Sequence, residues 1–201
     1  MNSIIAKALF KGLTYTEYRK LMNDLLLNNK STGFEQTKKL YDYSVLNETR
    51  MKRLDKTMVI KNENVLKIKA LKKDYLWLVI TEGWCGDAAQ TLPIFNKIAS
   101  LSDNKIELKI VLRDENDSLM NLFLTGKSKS IPILIVVEKE TGLFLNFWGP
   151  RPNGAKKLLE IYKSNFGSLD EIAKAELQMW YLKDKGISTQ DEVIAMMVGL
   201  D

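Results

Sequence analysis

The chain has 201 residues, 45% hydrophobic and 27% charged, a composition typical of a globular protein that folds without disulfides or metals. The absence of histidine excludes Ser-His-Asp and Cys-His catalysis and most zinc sites, and the single cysteine, Cys85, excludes an intramolecular disulfide. The net charge is +5 at pH 7, but acidic and basic residues are interspersed, so we expect no nucleic-acid partner.

The first residues do not have the features of an export signal. Residues 1–7 lack a basic region, a long apolar core and a small-residue cleavage site. No apolar stretch in the sequence approaches the roughly 20 residues that span a bilayer. We therefore expect a cytoplasmic protein that does not bind a membrane, in a compartment that keeps the thiol of Cys85 reduced.

The first third of the sequence predicts two helices. Thr14 and Glu17 have the spacing of a capping box, and apolar residues follow at helical intervals. Thr32 and Glu35 have the same spacing, which predicts a second, longer helix that extends to about Lys56. Apolar residues recur every three or four positions along this second helix. We expect this stripe to pack on the rest of the protein; a coiled-coil or dimer face is the alternative.

The centre of the sequence alternates strand-like and helix-like segments. Residues 75–81 form a continuous apolar run, as expected for a strand that is buried on both faces. Thr141-Gly142 lies between two later apolar runs and predicts a hairpin. The other predicted elements are, in order, a helix at 87–100, a parallel strand at 106–112, a short helix at 117–125, strands at 131–137 and 143–148, and a helix from 155 to about 163.

The C-terminal part predicts two more helices. Ser168 and Glu171 have capping-box spacing, as do Thr189 and Glu192, and Gly186 separates the two helices. The whole pattern is that of an α/β protein.

The change in character along the sequence divides the chain into three parts. Residues 1–70 form a helical extension that we expect to pack on the core, residues 71–166 form the α/β domain, and residues 167–201 form the C-terminal helices.

Three motifs at fixed spacing resemble the thioredoxin family. Trp84-Cys85-Gly86 follows the first core strand, Pro93 lies inside the following helix, and Ile131-Pro132 precedes the hairpin. The resemblance implies a thioredoxin-like fold, with a mixed four- or five-stranded sheet flanked by helices, and a cis peptide bond at Pro132. The string from Glu82 to Gln90, with Trp148–Pro152 downstream, is similar to a narrower group of bacterial thioredoxin-family proteins.

The sequence departs from the thioredoxin pattern at two positions. Ala88 stands where thioredoxins carry their second, resolving cysteine. Val79 stands where they usually bury an aspartate that accepts the proton of that second cysteine. An ordinary dithiol cycle is therefore not available to this chain, because a mixed disulfide at Cys85 would need an outside thiol for its release.

The surroundings of Cys85 predict opposing effects on its pKa. The N-terminus of a helix favours a thiolate and lowers the thiol pKa, whereas the carboxylate of Asp87 raises it. The resemblance places Arg151 beside the cysteine. We expect Arg151 either to pair with Asp87 or to stabilise the thiolate directly.

Two functions follow from the resemblance. The first is monothiol redox chemistry with no cofactor. Cys85 attacks a disulfide, a glutathionylated protein or a peroxide-derived sulfenic acid, and a low-molecular-weight thiol such as glutathione resolves the product. The second is a redox-inactive binding module that holds a peptide or protein segment. Its groove would lie between Trp84-Cys85-Gly86, Ile131-Pro132 and Gly149–Arg151. The oligomeric state stays open.

Overall fold

The computed structural model describes residues 2–201. In chain order these residues form α1 (Ser3–Lys11), α2 (Tyr15–Leu27), α3 (Lys38–Thr57), α4 (Asn62–Lys69), β1 (Tyr75–Thr81), α5 (Gly86–Ser100), β2 (Ile106–Leu112), α6 (Asp117–Met120), β3 (Ile133–Glu138), β4 (Phe144–Trp148), α7 (Asn153–Phe166), α8 (Glu171–Asp184) and α9 (Ile187–Val198). No helix among them is long and apolar enough to cross a membrane.

The strands form one mixed sheet in the order β2-β1-β3-β4. β1 is parallel to β2, whereas β3 is antiparallel to both β1 and β4. This is the α/β architecture implied by the resemblance, with four strands within residues 2–201. β1 lies in the middle of the sheet, between β2 and β3. The loop that carries Trp84-Cys85-Gly86 follows the C-terminal end of this central strand.

The core is centred on β1 and α5. Trp77 of β1 is fully buried and makes an edge contact with the ring of Phe95, whose centroid is 6.2 Å away. Phe95 makes a second edge contact, at 5.6 Å, with Trp148 at the end of β4. Pro93 lies inside α5, as predicted. These large rings hold α5 on the sheet, so its N-terminus has a fixed position.

The helical extension shares this core. Met22 of α2 and Met51 of α3 belong to the same apolar cluster as β1 and α5, as does Val193 of α9. The apolar stripe of α3 therefore packs on the rest of the chain, as predicted. Asn47 interrupts the stripe but is buried, and its amide donates to the carbonyl oxygen of Gly83 at 2.9 Å. The three-part division of the chain stays a prediction.

One of the two N-terminal capping boxes is confirmed and the other is wrong. Thr14 and Glu17 cap α2 reciprocally. α3, however, begins at Lys38 with Thr37 as its N-cap. Thr32 is buried, and its hydroxyl oxygen accepts the N–H of Gly83 at 2.7 Å. A tertiary hydrogen bond thus uses the side chain that the spacing assigned to a local cap.

The C-terminal caps also differ from the prediction, although both helices exist. The N-cap of α8 is Asp170, not Ser168, and its carboxylate accepts the N–H of Ala173 at 2.9 Å. α9 begins directly after Gly186, so Thr189 lies buried inside the helix. The spacing does not predict α1 or α4; Lys61, the N-cap of α4, makes no side-chain cap.

The segment between α1 and α2 covers one edge of the sheet. Leu13 forms an antiparallel bridge with Ile110 of β2, with both backbone hydrogen bonds at 2.8 Å. The unpaired N–H and C=O groups of an edge strand are a template for unwanted association. The N-terminal extension therefore stabilises the sheet by pairing as well as by apolar contact.

We expect Gly149→Ala to destabilise the protein more than Gly126→Ala. Both glycines have positive φ, +138° and +60° respectively. A Cβ on Gly149 would lie 2.3 Å from the carbonyl oxygen of Pro132, whereas one on Gly126 would meet nothing within 4 Å. Because a backbone atom cannot move aside cheaply, G149A should lower the free energy of unfolding by about 1–3 kcal/mol more than G126A. Urea unfolding of the two variants measures the difference; equal losses would contradict the contact.

Candidate functional site

Cys85 is the N-cap residue of α5 and lies directly after the turn that follows β1. Its side chain is buried, with 8% of its surface exposed. The thiol donates to the carbonyl oxygen of Ile131 at 3.4 Å, and its sulfur accepts the N–H of Ala88 at 3.5 Å. The sulfur is therefore held between the start of α5 and the loop before β3.

The loop before β3 has the predicted geometry. The Ile131–Pro132 peptide bond is cis, which confirms the expectation for Pro132, and the Gly149–Pro150 bond is also cis. Both residues of Ile131-Pro132 are buried beside the site. The resemblance implies that this backbone pairs with an extended substrate. Here the Ile131 carbonyl oxygen accepts the hydrogen bond of the thiol.

The turn that carries Trp84 and Cys85 is anchored to the N-terminal extension. Gly83 donates its N–H to Thr32 and accepts the amide of Asn47 through its carbonyl oxygen. Glu82 is fully buried, and its carboxyl accepts the N–H of Asp114 at 2.9 Å. Burial raises the pKa of Glu82. The sequence did not single out Glu82, because a carboxyl beside a turn is usually exposed.

The pKa of Cys85 is raised to about 12. Burial is the main cause, and the nearby carboxylate of Asp87 acts in the same direction. The N–H groups of Ala88 and Asp87 and the charge of Arg151 lower the pKa, but by less. The position at the start of α5 does favour a thiolate, as expected; the loss of hydration outweighs it.

Asp87 is itself buried and has two partners. Arg151 lies 2.8 Å from one carboxylate oxygen, and the hydroxyl of Tyr181 donates to the other at 2.8 Å. The first of the two expected roles of Arg151, pairing with Asp87, is confirmed. Burial raises the pKa of Asp87, while Arg151 and Tyr181 oppose this shift. Because Arg151 is engaged with Asp87, it stabilises the Cys85 thiolate only weakly.

Helix α8 covers the site. Tyr181 reaches Asp87 as described, and the side chain of Gln178 accepts the amide of Gln90 in α5 at 2.9 Å. At the other end of α8, Glu171 accepts the hydroxyl of Tyr43 in α3 at 3.1 Å. The helix therefore packs against the start of α5 and against α3, on the side of the site where the cavity lies. Nothing in the sequence of α8 signals this position, because its apolar residues are spread around the helix and Ile172, Met179 and Leu182 are exposed.

A cavity of about 770 Å³ lies between α3, α8 and the loops around Cys85. Six of the predicted site residues line it: Trp84, Cys85, Gly86, Asp87, Ile131 and Arg151. Two do not: Ala88 is buried inside α5, and Pro132 is buried behind Ile131.

The sequence did not predict several residues that line this cavity. Arg50 comes from α3, and Gln178 comes from α8. Arg113 follows β2, and its guanidinium lies over the ring of Trp84, 4.8 Å from the centroid. Each looks like an ordinary surface residue in a sequence pattern; only the packing of the helices brings them together. Within residues 2–201 no group of acidic residues and Cys85 could hold a metal ion.

The sheet order, the cis-proline and the N-cap cysteine define the class: a thioredoxin-fold protein with one cysteine at its site. A family model described as thioredoxin matches residues 33–165, more than half of the chain. The chain therefore belongs to the thioredoxin family. The narrower group with the Trp-Cys-Gly-Asp-Ala-Ala-Gln motif stays a prediction.

Two solved structures share the fold. The crystal structure of an HIV epitope-scaffold is 19% identical, with a TM-score of 0.62 and 98% of each chain covered. A crystal structure of a protein of unknown function from Pseudomonas aeruginosa is 17% identical, with a TM-score of 0.59, and the match covers 94% of this chain and 99% of that one. At these identities the likeness shows the fold alone. No curated protein matches the sequence.

We expect Asp87→Asn to lower the pKa of Cys85. The carboxylate of Asp87 raises this pKa, so the substitution removes a negative charge that disfavours the thiolate. It also removes the ion-pair partner of Arg151, whose positive charge can then stabilise the thiolate. The rate of alkylation of native protein by iodoacetamide, followed against pH, should rise at lower pH in D87N. Glu171→Gln is the matched control, because Glu171 lines the cavity but is exposed and paired with Lys174. Identical profiles for D87N and the parent protein would contradict the electrostatic account.

Proposed function

We propose that the protein is a thioredoxin-fold binding protein, in which the cavity beside Cys85 receives a ligand and the thiol stays protonated. The observation that carries this proposal is the burial of the Cys85 sulfur together with its hydrogen bond to the carbonyl oxygen of Ile131. A thiol that donates to a carbonyl oxygen is stabilised in its neutral form. Exchange with a disulfide requires the thiolate.

The residues around the thiol support the same proposal. Thioredoxin chemistry releases the mixed disulfide through a second cysteine, and Ala88, 1% exposed, occupies that position in α5. Val79, where the family usually buries an acid, is a fully buried apolar residue of β1. Asp87, whose carboxylate acts on the sulfur, raises the thiol pKa and is engaged by Arg151 and Tyr181. These groups favour a neutral thiol.

The cavity supports a binding role. Its volume of about 770 Å³ lies within the range of small-molecule sites, roughly 300–1,000 Å³. Its exposed lining is mostly apolar, as in such sites, although seven of its eighteen lining residues are charged. In this proposal the geometry of the fold positions a ligand, and Cys85 contributes a small, weakly polar surface to it.

Monothiol exchange is the second candidate. The sulfur of Cys85 is on the lining of the cavity and accepts the N–H of Ala88, so a small disulfide in the cavity would lie beside it. In this reaction the Cys85 thiolate attacks the disulfide, a mixed disulfide forms, and the other half leaves as a thiolate. A second low-molecular-weight thiol, such as glutathione, then attacks the mixed disulfide and restores Cys85.

Alkylation of Cys85 separates the two candidates. With a pKa of about 12 in the folded protein and about 8.5 for an unfolded cysteine, the thiolate fraction at pH 8.5 is about a thousandfold smaller in the folded state. We therefore expect native protein to react with iodoacetamide about a thousandfold more slowly than urea-unfolded protein, and Cys85→Ser to show no labelling. Intact mass after incubation with glutathione disulfide should show no adduct. Rapid alkylation with a glutathione adduct would favour monothiol exchange.

The pH dependence of stability gives an independent measurement. Because the pKa of Cys85 is higher in the folded than in the unfolded state, its contribution to stability is complete below about pH 8.5 and is lost as the pH rises toward 12. Relative to C85S, the parent protein should lose about 2–3 kcal/mol of unfolding free energy between about pH 8 and about pH 10.5. Parallel curves for the two proteins would show that the thiol titrates normally in the folded state.

A further inference from the structure

Arg50 is a cation on the lining of the cavity whose charge has no partner. It extends from α3, and one of its five N–H groups donates to the side chain of Asn47 at 2.8 Å. No carboxylate within residues 2–201 lies within 4 Å of its guanidinium. Its pKa is lowered by burial and by repulsion from Arg53, while Asp87 and Tyr43 act weakly in the opposite direction.

The other cations of the cavity are already neutralised. Arg113 pairs with Asp114 at 2.7 Å, Arg151 with Asp87 at 2.8 Å, and Lys174 with Glu171 at 2.9 Å. Lys129 pairs with Asp117. The cavity therefore has an excess of positive charge, and that excess lies at Arg50. A half-buried guanidinium without an anion is unfavourable, and a ligand that supplies the anion would remove this penalty.

Arg50 and Gln178 both approach Gly86 at the start of α5. Gly86 has no side chain, and a Cβ added there would lie 3.4 Å from a guanidinium nitrogen of Arg50 and 3.2 Å from the amide nitrogen of Gln178. Both nitrogens are donors and both side chains line the cavity, so two groups that carry N–H donors lie close together on its wall. Such a pair of donors suits the oxygen atoms of a carboxylate or a similar group.

Most of the remaining lining is apolar or aromatic, and its two carboxylates, Asp87 and Glu171, are each paired with a cation. Leu40 and Tyr43 come from α3, Leu177 comes from α8, and Trp84 and Ile131 come from the loops around Cys85. These side chains offer contact to carbon atoms and no further charge. A bare inorganic ion would leave most of this surface in contact with water only.

We propose that the cavity binds a small organic anion, with its anionic group on Arg50 and Gln178 and its apolar body against the walls of α3 and α8. This inference rests on the proposed function only in taking the cavity as the ligand site. The occupant is a small molecule because α8 covers the groove in which an extended polypeptide would lie, through Tyr181 and Gln178.

A matched pair of fluorescent probes tests the inference on the full chain. 8-Anilinonaphthalene-1-sulfonate has an apolar aromatic body with a sulfonate, and N-phenyl-1-naphthylamine has the same body without it. We expect the sulfonate to bind the parent protein at least about tenfold more tightly than the neutral probe, because a charge-assisted hydrogen bond to Arg50 is formed only by the anion. Octanoate should displace the bound sulfonate, and octanol and inorganic phosphate should not.

Arg50→Gln should weaken binding of the sulfonate at least about tenfold and leave the neutral probe unchanged. Arg53→Gln is the matched control, because Arg53 lies on the same helix, is exposed and does not line the cavity. Arg50→Lys keeps the charge and should retain most of the affinity. Circular dichroism and thermal unfolding of all three variants check that the fold is intact.

Three outcomes would overturn the inference: equal affinities of the two probes for the parent protein, an equal effect of R50Q and R53Q, or displacement of the sulfonate by octanol as readily as by octanoate. The alkylation of Cys85 is measured separately. If Cys85 forms a glutathione adduct while R50Q no longer binds the sulfonate, the proposed protonated, unreactive thiol is wrong and the organic-anion site is supported. If Cys85 does not react and the two probes bind equally, the organic-anion site is wrong and the proposed unreactive thiol is supported.

Discussion

The buried carboxylate of Asp87 joins three parts of the chain that lie far apart in sequence. It comes from the first turn of α5, and it is held by Arg151 from the loop after β4 and by Tyr181 from α8. A buried charge must be paired and hydrogen-bonded, and removal of one partner leaves the others unsatisfied. Asp87 thus helps to hold α8 over the site, engages Arg151 and adds negative potential at the sulfur of Cys85.

The chemistry of the thiol results from a competition between two effects of its position. The N-cap position gives the sulfur of Cys85 a backbone N–H and the positive end of α5, which favour a thiolate. The same packing removes the sulfur from water and brings Asp87 near it, which favours the thiol. Helix-terminus effects amount to roughly 0.3–2 kcal/mol, whereas full burial shifts a pKa by several units. Burial therefore decides the protonation state.

The sequence predicted those features that depend on local pattern or on the resemblance. The strand at Tyr75–Thr81, the cis bond before Pro132 and the pairing of Arg151 with Asp87 belong to this group. It did not predict that the pKa of Cys85 is raised or that Arg50 has no carboxylate partner, because both depend on which helices cover the site. Capping boxes at Thr32, Ser168 and Thr189 were wrong for a related reason: tertiary partners and neighbouring residues took over their roles.

Tyr181 lies beyond residue 165, where the recognisable family similarity ends. The surroundings of the cysteine are thus made partly by a segment that the family model does not describe. Two thioredoxin-family proteins with the same central motif can therefore differ in whether their cysteine is open or covered, depending on the segment attached after their last core helix. A comparison restricted to the motif treats such proteins as equivalent. The C-terminal helices are the part of the chain in which their specificities can diverge.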